Sequence, residues 1–108
     1  MRYLVINEDN SIDVKYFSPI GINDSPLDVM DDEVGGFCGI SDITICGEKY
    51  AMIQNNLLEG KPHTMFGEEM FGKVVITLHD WVSDEYFSLT DDMVERIVSE
   101  INRPVNNK

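Results

Sequence analysis

The sequence predicts an α+β domain, a mixed or antiparallel sheet of about five to six short strands with two helices. Three observations predict it. Gly72-Lys73-Val74-Val75-Ile76-Thr77-Leu78 is the longest β-branched run, bounded by Gly72 and by the polar pair His79-Asp80. Residues 90–102 repeat apolar side chains at helical spacing. Short apolar runs elsewhere are punctuated by Gly, Pro, Asn and Asp. At 108 residues the chain is one domain, with residues 1–103 globular and 104–108 a frayed tail.

Taken in order, Arg2 to Ile6 reads as a strand, and Glu8-Asp9-Asn10-Ser11 as a turn whose side chains satisfy its own backbone. Ile12 to Phe17 alternates Ile12, Val14 and Tyr16 against Asp13, Lys15 and Phe17, completing a hairpin that Pro19 and Gly21 end. A helix over about 25–34 follows. Ser25 caps it, Pro26 suits its first position, and Gly35-Gly36 stops it. Leu27, Met30 and Val34 make its apolar stripe, and Asp28, Asp31 and Asp32 face away.

Phe37 to Ile40 and Ile43 to Cys46 read as two short strands, with Gly47-Glu48 turning the chain into Lys49 to Gln54. Residues 55–60 suggest a turn of helix closed by Gly60, and Lys61 to Phe71 an irregular or partly helical stretch. In the central strand, Val74, Ile76 and Leu78 point to one face and Val75 and Thr77 to the other, so both faces must be covered. Trp81-Val82 and Tyr86-Phe87 flank an acidic turn, Ser83-Asp84-Glu85. The last helix, about 90–102, has Thr90 as cap, Leu89 positioned to staple onto Val94, and Asp91 and Asp92 at the positive end of its dipole. The expected core is Leu4, Ile6, Val14, Leu27, Met30, Phe37, Ile43, Ile45, Met52, Val74, Ile76, Leu78, Val94, Ile97 and Ile101.

Charge is the unusual property. Twenty carboxylates oppose eight Lys and Arg, for a net −12. That balance repels phosphate backbones and anionic membranes and favours basic protein surfaces. No apolar stretch approaches the length of a membrane helix, and the first residues lack a signal segment, so the expected location is the cytoplasm. Cys38 and Cys46, both in apolar runs, are expected as buried, reduced thiols.

Reactive chemistry finds little support. His63, His79, Cys38 and Cys46 have no metal-ligand spacing, so no metal or cofactor is expected. The stretch from Glu8 to Asp13 lacks the glycine and the twelfth-position Glu of a calcium loop, where, counting from Asp9, Ile20 stands instead. No glycine loop cradles phosphate. The carboxylates remain. One group, Asp28, Asp31 and Asp32, lies on the first helix. A second, Asp84, Glu85, Asp91, Asp92 and Glu95, surrounds the start of the last helix, with Trp81 and Tyr86 as candidate aromatic anchors. A solvated helix face has the same composition; the functional reading is a partner-binding surface.

Tyr3-Leu4-Val5-Ile6-Asn7 before an acidic turn, Val34-Gly35-Gly36-Phe37 after an acidic helix, Gly47-Glu48-Lys49, Gln54-Asn55-Asn56 and Phe71-Gly72-Lys73-Val74-Val75-Ile76 together cover most of residues 1–78. On these segments the chain resembles a family of small domains of unknown function encoded by phages, plasmids and integrated bacterial elements. It departs from that pattern at Pro62-His63-Thr64, where the family tends to carry an Ala-Thr pair. The resemblance implies a mobile-element origin and no catalytic residues. By analogy with other small acidic proteins of such elements, it points to antagonism of host defence.

The expected function is therefore a non-enzymatic acidic protein-binding module. Its specific form would be a nucleic-acid mimic that blocks a host nuclease or other defence protein through a basic surface, without binding nucleic acid or membrane itself. The alternative is a small-ligand binder or sponge for a nucleotide or metabolite, with a pocket between the sheet and Lys61–Phe71. Open strand edges also admit a homodimer.

Overall fold

Val74, Val75, Ile76 and Thr77 are all fully buried, as a strand apolar on both faces requires. In the computed structural model, which describes residues 2–17, 26–36, 38–55, 57, 60–65, 68–83 and 85–102, this strand is the centre of the sheet. The element order is β1 (Arg2–Ile6), β2 (Ile12–Tyr16), α1 (Pro26–Glu33), β3 (Cys38–Ile45), β4 (Glu48–Asn55), β5 (Pro62–Met65), β6 (Glu68–Phe71), β7 (Val74–Asp80), β8 (Glu85–Phe87) and α2 (Asp91–Asn102). Six strands form one antiparallel sheet in the order β2-β1-β7-β4-β3, with β8 also paired to β7, while β5 and β6 make a separate two-stranded sheet. The fold is α+β.

Each face of the sheet carries one helix. Leu4, Ile6, Ile43, Ile45, Met52, Val74, Ile76 and Ile97 pack together on the α2 face, with Leu78, Met93 and Val94 partly buried against them. Tyr3, Val5, Ile53 and Val75 pack with Met30 and Val34 on the α1 face. The two cores follow from the period-2 alternation of β1, β4 and β7. Thr90 caps α2, its hydroxyl accepting the Met93 N–H at 3.2 Å, and Leu89 shares the α2-side core with Val94.

Helix α1 stops at Gly35 and Gly36, both in the left-handed region with φ of 88° and 93°. Buried Asn55 then ties the helix to β4. Its Nδ2 donates to the Val34 and Gly36 carbonyls at 3.3 and 3.0 Å, and its Oδ1 accepts the Leu57 N–H at 2.8 Å. Asn55→Ala is expected to cost about 1–3 kcal/mol, because buried groups lose their partners while little apolar volume changes. Urea unfolding followed by circular dichroism measures it.

Several expectations need correction. Within Lys61 to Phe71 the described residues are not irregular or helical: they form the paired strands β5 and β6, in register from Pro62↔Phe71 to Met65↔Glu68. The stretch lacks a strong strand signature, and contacts distant along the chain hold it. The Lys61 N–H donates to Glu8 Oε2 at 2.8 Å, His63 Nε2 donates to the Gly72 carbonyl at 2.8 Å, and His63 Nδ1 lies 2.8 Å from Asn10 Oδ1. Residues 38–45 are one strand rather than two, since Ser41 and Asp42 keep their ladder positions opposite Met52 and Ala51. Its turn is Cys46-Gly47, not Gly47-Glu48: Ile45 pairs with Glu48, and φ is 54° at Cys46 and 80° at Gly47, the signature of a two-residue type I′ loop. Asn55 ends β4 rather than starting a helix.

Val14, expected in the core, is 42% exposed because β2 is an edge strand. Conversely Tyr3, Val5, Tyr50, Ile53, Met70 and Leu89 are buried core residues absent from the expected set. The expectations for Leu27, Phe37 and Ile101, for the Ser25 cap and for the 104–108 tail lie outside the described side chains and residues.

Candidate functional site

The β4–β7 ladder pairs Ile53↔Val75, Met52↔Ile76 and Ala51↔Thr77 and goes no further. Strand β7 also pairs with β8, through Leu78↔Phe87, His79↔Tyr86 and Asp80↔Glu85. The start of β4 and the end of β7 are outside that ladder, and a cleft of about 320 Å3 lies between them. Asp42, Lys49, Ala51, His79, Trp81 and Phe87 are among its lining residues.

Trp81 spans this opening. Its Nε1–H donates to Asp42 Oδ1 at 3.0 Å, joining the β7–β8 turn to the edge strand β3. Its ring meets His79 edge-on, with centroids 4.7 Å apart, and His79 in turn lies 4.6 Å from the Tyr86 ring. The turn is held by Asp80, whose Oδ1 accepts the Val82 N–H at 3.0 Å and whose Oδ2 accepts the Ser83 hydroxyl at 3.1 Å. The Val82 amide, and then the Ser83 hydroxyl, keep that carboxyl below the usual carboxylate range. Trp81 is 56% exposed, Val82 96% and Phe87 46%. Asp42, Asp80 and Glu85 are exposed around this apolar tip, and grouped exposed apolar side chains of this kind mark interaction surfaces.

The sequence-derived site residues do not assemble into one face. Asp28 and Asp32 are exposed on α1, whereas Asp31 is half-buried and accepts the Cys38 N–H at 2.8 Å. Asp91 is paired with Arg2, and Asp92 and Glu95 are exposed on α2. Because α1 and α2 cover opposite faces of the sheet, these two carboxylate groups flank it rather than join. Glu85 is exposed beside the Trp81 turn, Tyr86 is half-buried against the α1-side core, and Asp84 lies outside the described residues. Sequence reasoning missed Asp42, Lys49, Val82 and Phe87. Val82 carried a usable signal, an apolar residue inside a polar turn. The Asp42–Trp81 bond, spanning 39 positions, carried none.

The thiols differ from expectation. Cys38 is half-buried, but Cys46 is exposed at the type I′ loop. The Cys46 Sγ lies 3.5 Å from Glu100 Oε1. Burial, followed by the Asp31 carboxylate, pushes the Cys38 thiol up to about 11. Iodoacetamide at mildly alkaline pH is therefore expected to modify Cys46 while sparing Cys38 in the folded protein, read by peptide mass spectrometry. Equal labelling of both without denaturant would contradict this burial.

Among the described residues, no group of three or more His, Cys, Asp or Glu could hold a metal ion. No helix among them is long and apolar enough to cross a membrane. A hollow of about 380 Å3 opens at the β1–β2 turn, lined by Asn7, Glu8, Asp9, Ser11, Lys61 and Lys73, and meets the Lys61–Phe71 stretch through Lys61. The more apolar cleft is the one at Trp81. Comparison with protein-family models, curated proteins and solved structures gives no match to this chain.

Proposed function

We propose that the chain is a non-enzymatic protein-binding module of a phage or other mobile element. It acts in the cytoplasm and docks through the Trp81 end of its sheet onto a basic surface of a host protein. The observation that carries this reading is the exposed tip of Trp81, Val82 and Phe87 rimmed by carboxylates. Such a tip combines what a Lys- and Arg-rich surface needs: apolar area to bury, an aromatic face for a cation, and acceptors for guanidinium. The net charge of −12 steers basic partners toward it and disfavours phosphate backbones. An inhibitor that mimics nucleic acid would present one of the two carboxylate groups to a basic groove, since the helices carrying them lie on opposite faces.

The test is capture from bacterial lysate on immobilised protein, at low and at high salt. A basic partner is expected at low salt, released as salt rises and lost with Trp81→Ala. Retention indifferent to both salt and Trp81 overturns the reading. A second reading is favoured by the cleft itself, whose volume of about 320 Å3 falls within the range of small-molecule sites. It is the nucleotide or metabolite binder, and a ligand-dependent rise in melting temperature that Trp81→Ala abolishes would support it.

A further inference from the structure

Strand β2 has one strand neighbour, β1, among the described residues. The direction of its outer backbone groups follows from the ladder. The Asn7 N–H donates to the Ser11 carbonyl, so Asn7 and Ser11 form a hydrogen-bonded pair, and pairs of this kind recur at every second position. Val5↔Asp13 and Tyr3↔Lys15 are then the next bonded pairs in the register. The backbone groups of Ile12, Val14 and Tyr16 consequently point away from β1. Arg2 supports the assignment independently: its backbone binds Ser88 and Leu89 rather than β2.

This outer edge is regular. It has no proline or bulge across five consecutive register pairs, two of the devices that blunt an edge; Lys15 is a third, and the pairing described next matches it with Asp13. Its sequence, Ile12-Asp13-Val14-Lys15-Tyr16, is complementary to itself when reversed. With Val14 opposite the partner's Val14, Asp13 faces the partner's Lys15 and Ile12 faces the partner's Tyr16. The outward groups of Ile12, Val14 and Tyr16 then bond reciprocally. Asp13 and Lys15 fall at non-hydrogen-bonded positions, where Cα atoms approach to about 4.5 Å and side chains are closest. Sliding by two residues keeps the bonding pattern but sets Asp13 against the partner's Asp13, or Lys15 against the partner's Lys15. Charge therefore selects a single register.

We propose that β2 is a homodimerisation edge, pairing antiparallel with the β2 of a second copy about Val14 and joining the two sheets into one. Val14 and Tyr16, 42% and 69% exposed, are covered by that pairing. Lys15 lies 3.4 Å from Glu33 of its own chain, and Asp13 accepts Asn7 Nδ2 at 3.0 Å. An ammonium has three donors and a carboxylate several acceptor sites, so both can serve the partner as well. At physiological ionic strength, repulsion between the acidic protomers is screened over about 8 Å while the Asp13–Lys15 contact is not. The opposite edge offers no such match: β3, Cys38–Ile45, carries Asp42 and no cation.

Sedimentation equilibrium on the purified chain tests the proposal. The wild type is expected to reach twice the protomer mass as concentration rises. Asp13→Lys alone and Lys15→Asp alone are each expected to remain monomeric, and an equimolar mixture of the two to recover the doubled mass, because each supplies the charge the other needs. Val14→Pro removes an outward N–H while leaving every bond to β1 intact, and should give a folded monomer by circular dichroism. A wild type that stays monomeric, variants that still dimerise alone, or a mixture that does not associate would each overturn the proposal. Retained Trp81-dependent capture by Val14→Pro separates this result from the fate of the docking surface.

Discussion

Ile76→Ala is expected to lower the unfolding free energy by about 2–5 kcal/mol, as large-to-small changes in closed cores do. Ile76 is fully buried and lies in the central strand opposite both Leu4 and Met52. Its neighbours on the α2 face include Val74 and Ile97, so a hole there is enclosed by strands on either side and by a helix above. The backbone ladders hold the walls apart, and the cavity cannot collapse. The loss is a large share of the roughly 5–15 kcal/mol that a domain of this size has. A urea titration should show the midpoint falling with little change in slope. Val82→Ala, at a 96% exposed position, is the control and should stay within about 0.5 kcal/mol of wild type.

Gly60→Ala is expected to destabilise through the backbone. Gly60 has φ of +112°, and a Cβ there would sit 2.6 Å from Gly72 Cα and 2.8 Å from its nitrogen. The dihedral alone costs an alanine about 1–3 kcal/mol, and the contact adds to it because no flexible side chain can yield. The two glycines meet where the β5–β6 pair joins the sheet, beside the Gly72 N–H to Lys61 carbonyl bond of 3.1 Å. The loss should concentrate there. Hydrogen exchange ought to accelerate first in residues 61–71, with β7 amides protected until global unfolding. Uniform acceleration across the sheet, or wild-type stability, would contradict this account.

Legibility followed how local each cause was. The central strand, the β1–β2 hairpin and both helices were readable because their signals lie within a few residues: alternation, β-branching, the Thr90 cap, the Gly35-Gly36 stop. The β5–β6 pair was not, since His63, Lys61 and Gly60 are held by Asn10, Glu8 and Gly72. Cys46 read as buried from its apolar neighbours, yet a type I′ loop turns it outward. Of the candidate site, Trp81 is legible as an aromatic anchor, but its bond to Asp42 joins the β7–β8 turn to β3, 39 positions away in the chain.

Composition and periodicity by themselves determined that this chain folds as α+β around a strand buried on both sides, and that its surface is strongly acidic. Both are sums over local properties, independent of which element neighbours which. Tertiary structure alone decided where the charge goes. It set the carboxylates of α1 and α2 on opposite faces, turned Asp31 toward the Cys38 amide, and left Trp81 at the cleft between β4 and β7. It also made β2 an edge, and so left Val14 and Tyr16 uncovered. The physical reason is that strand order and helix side are settled by which apolar faces bury each other, a relation between distant segments that no single window of sequence contains.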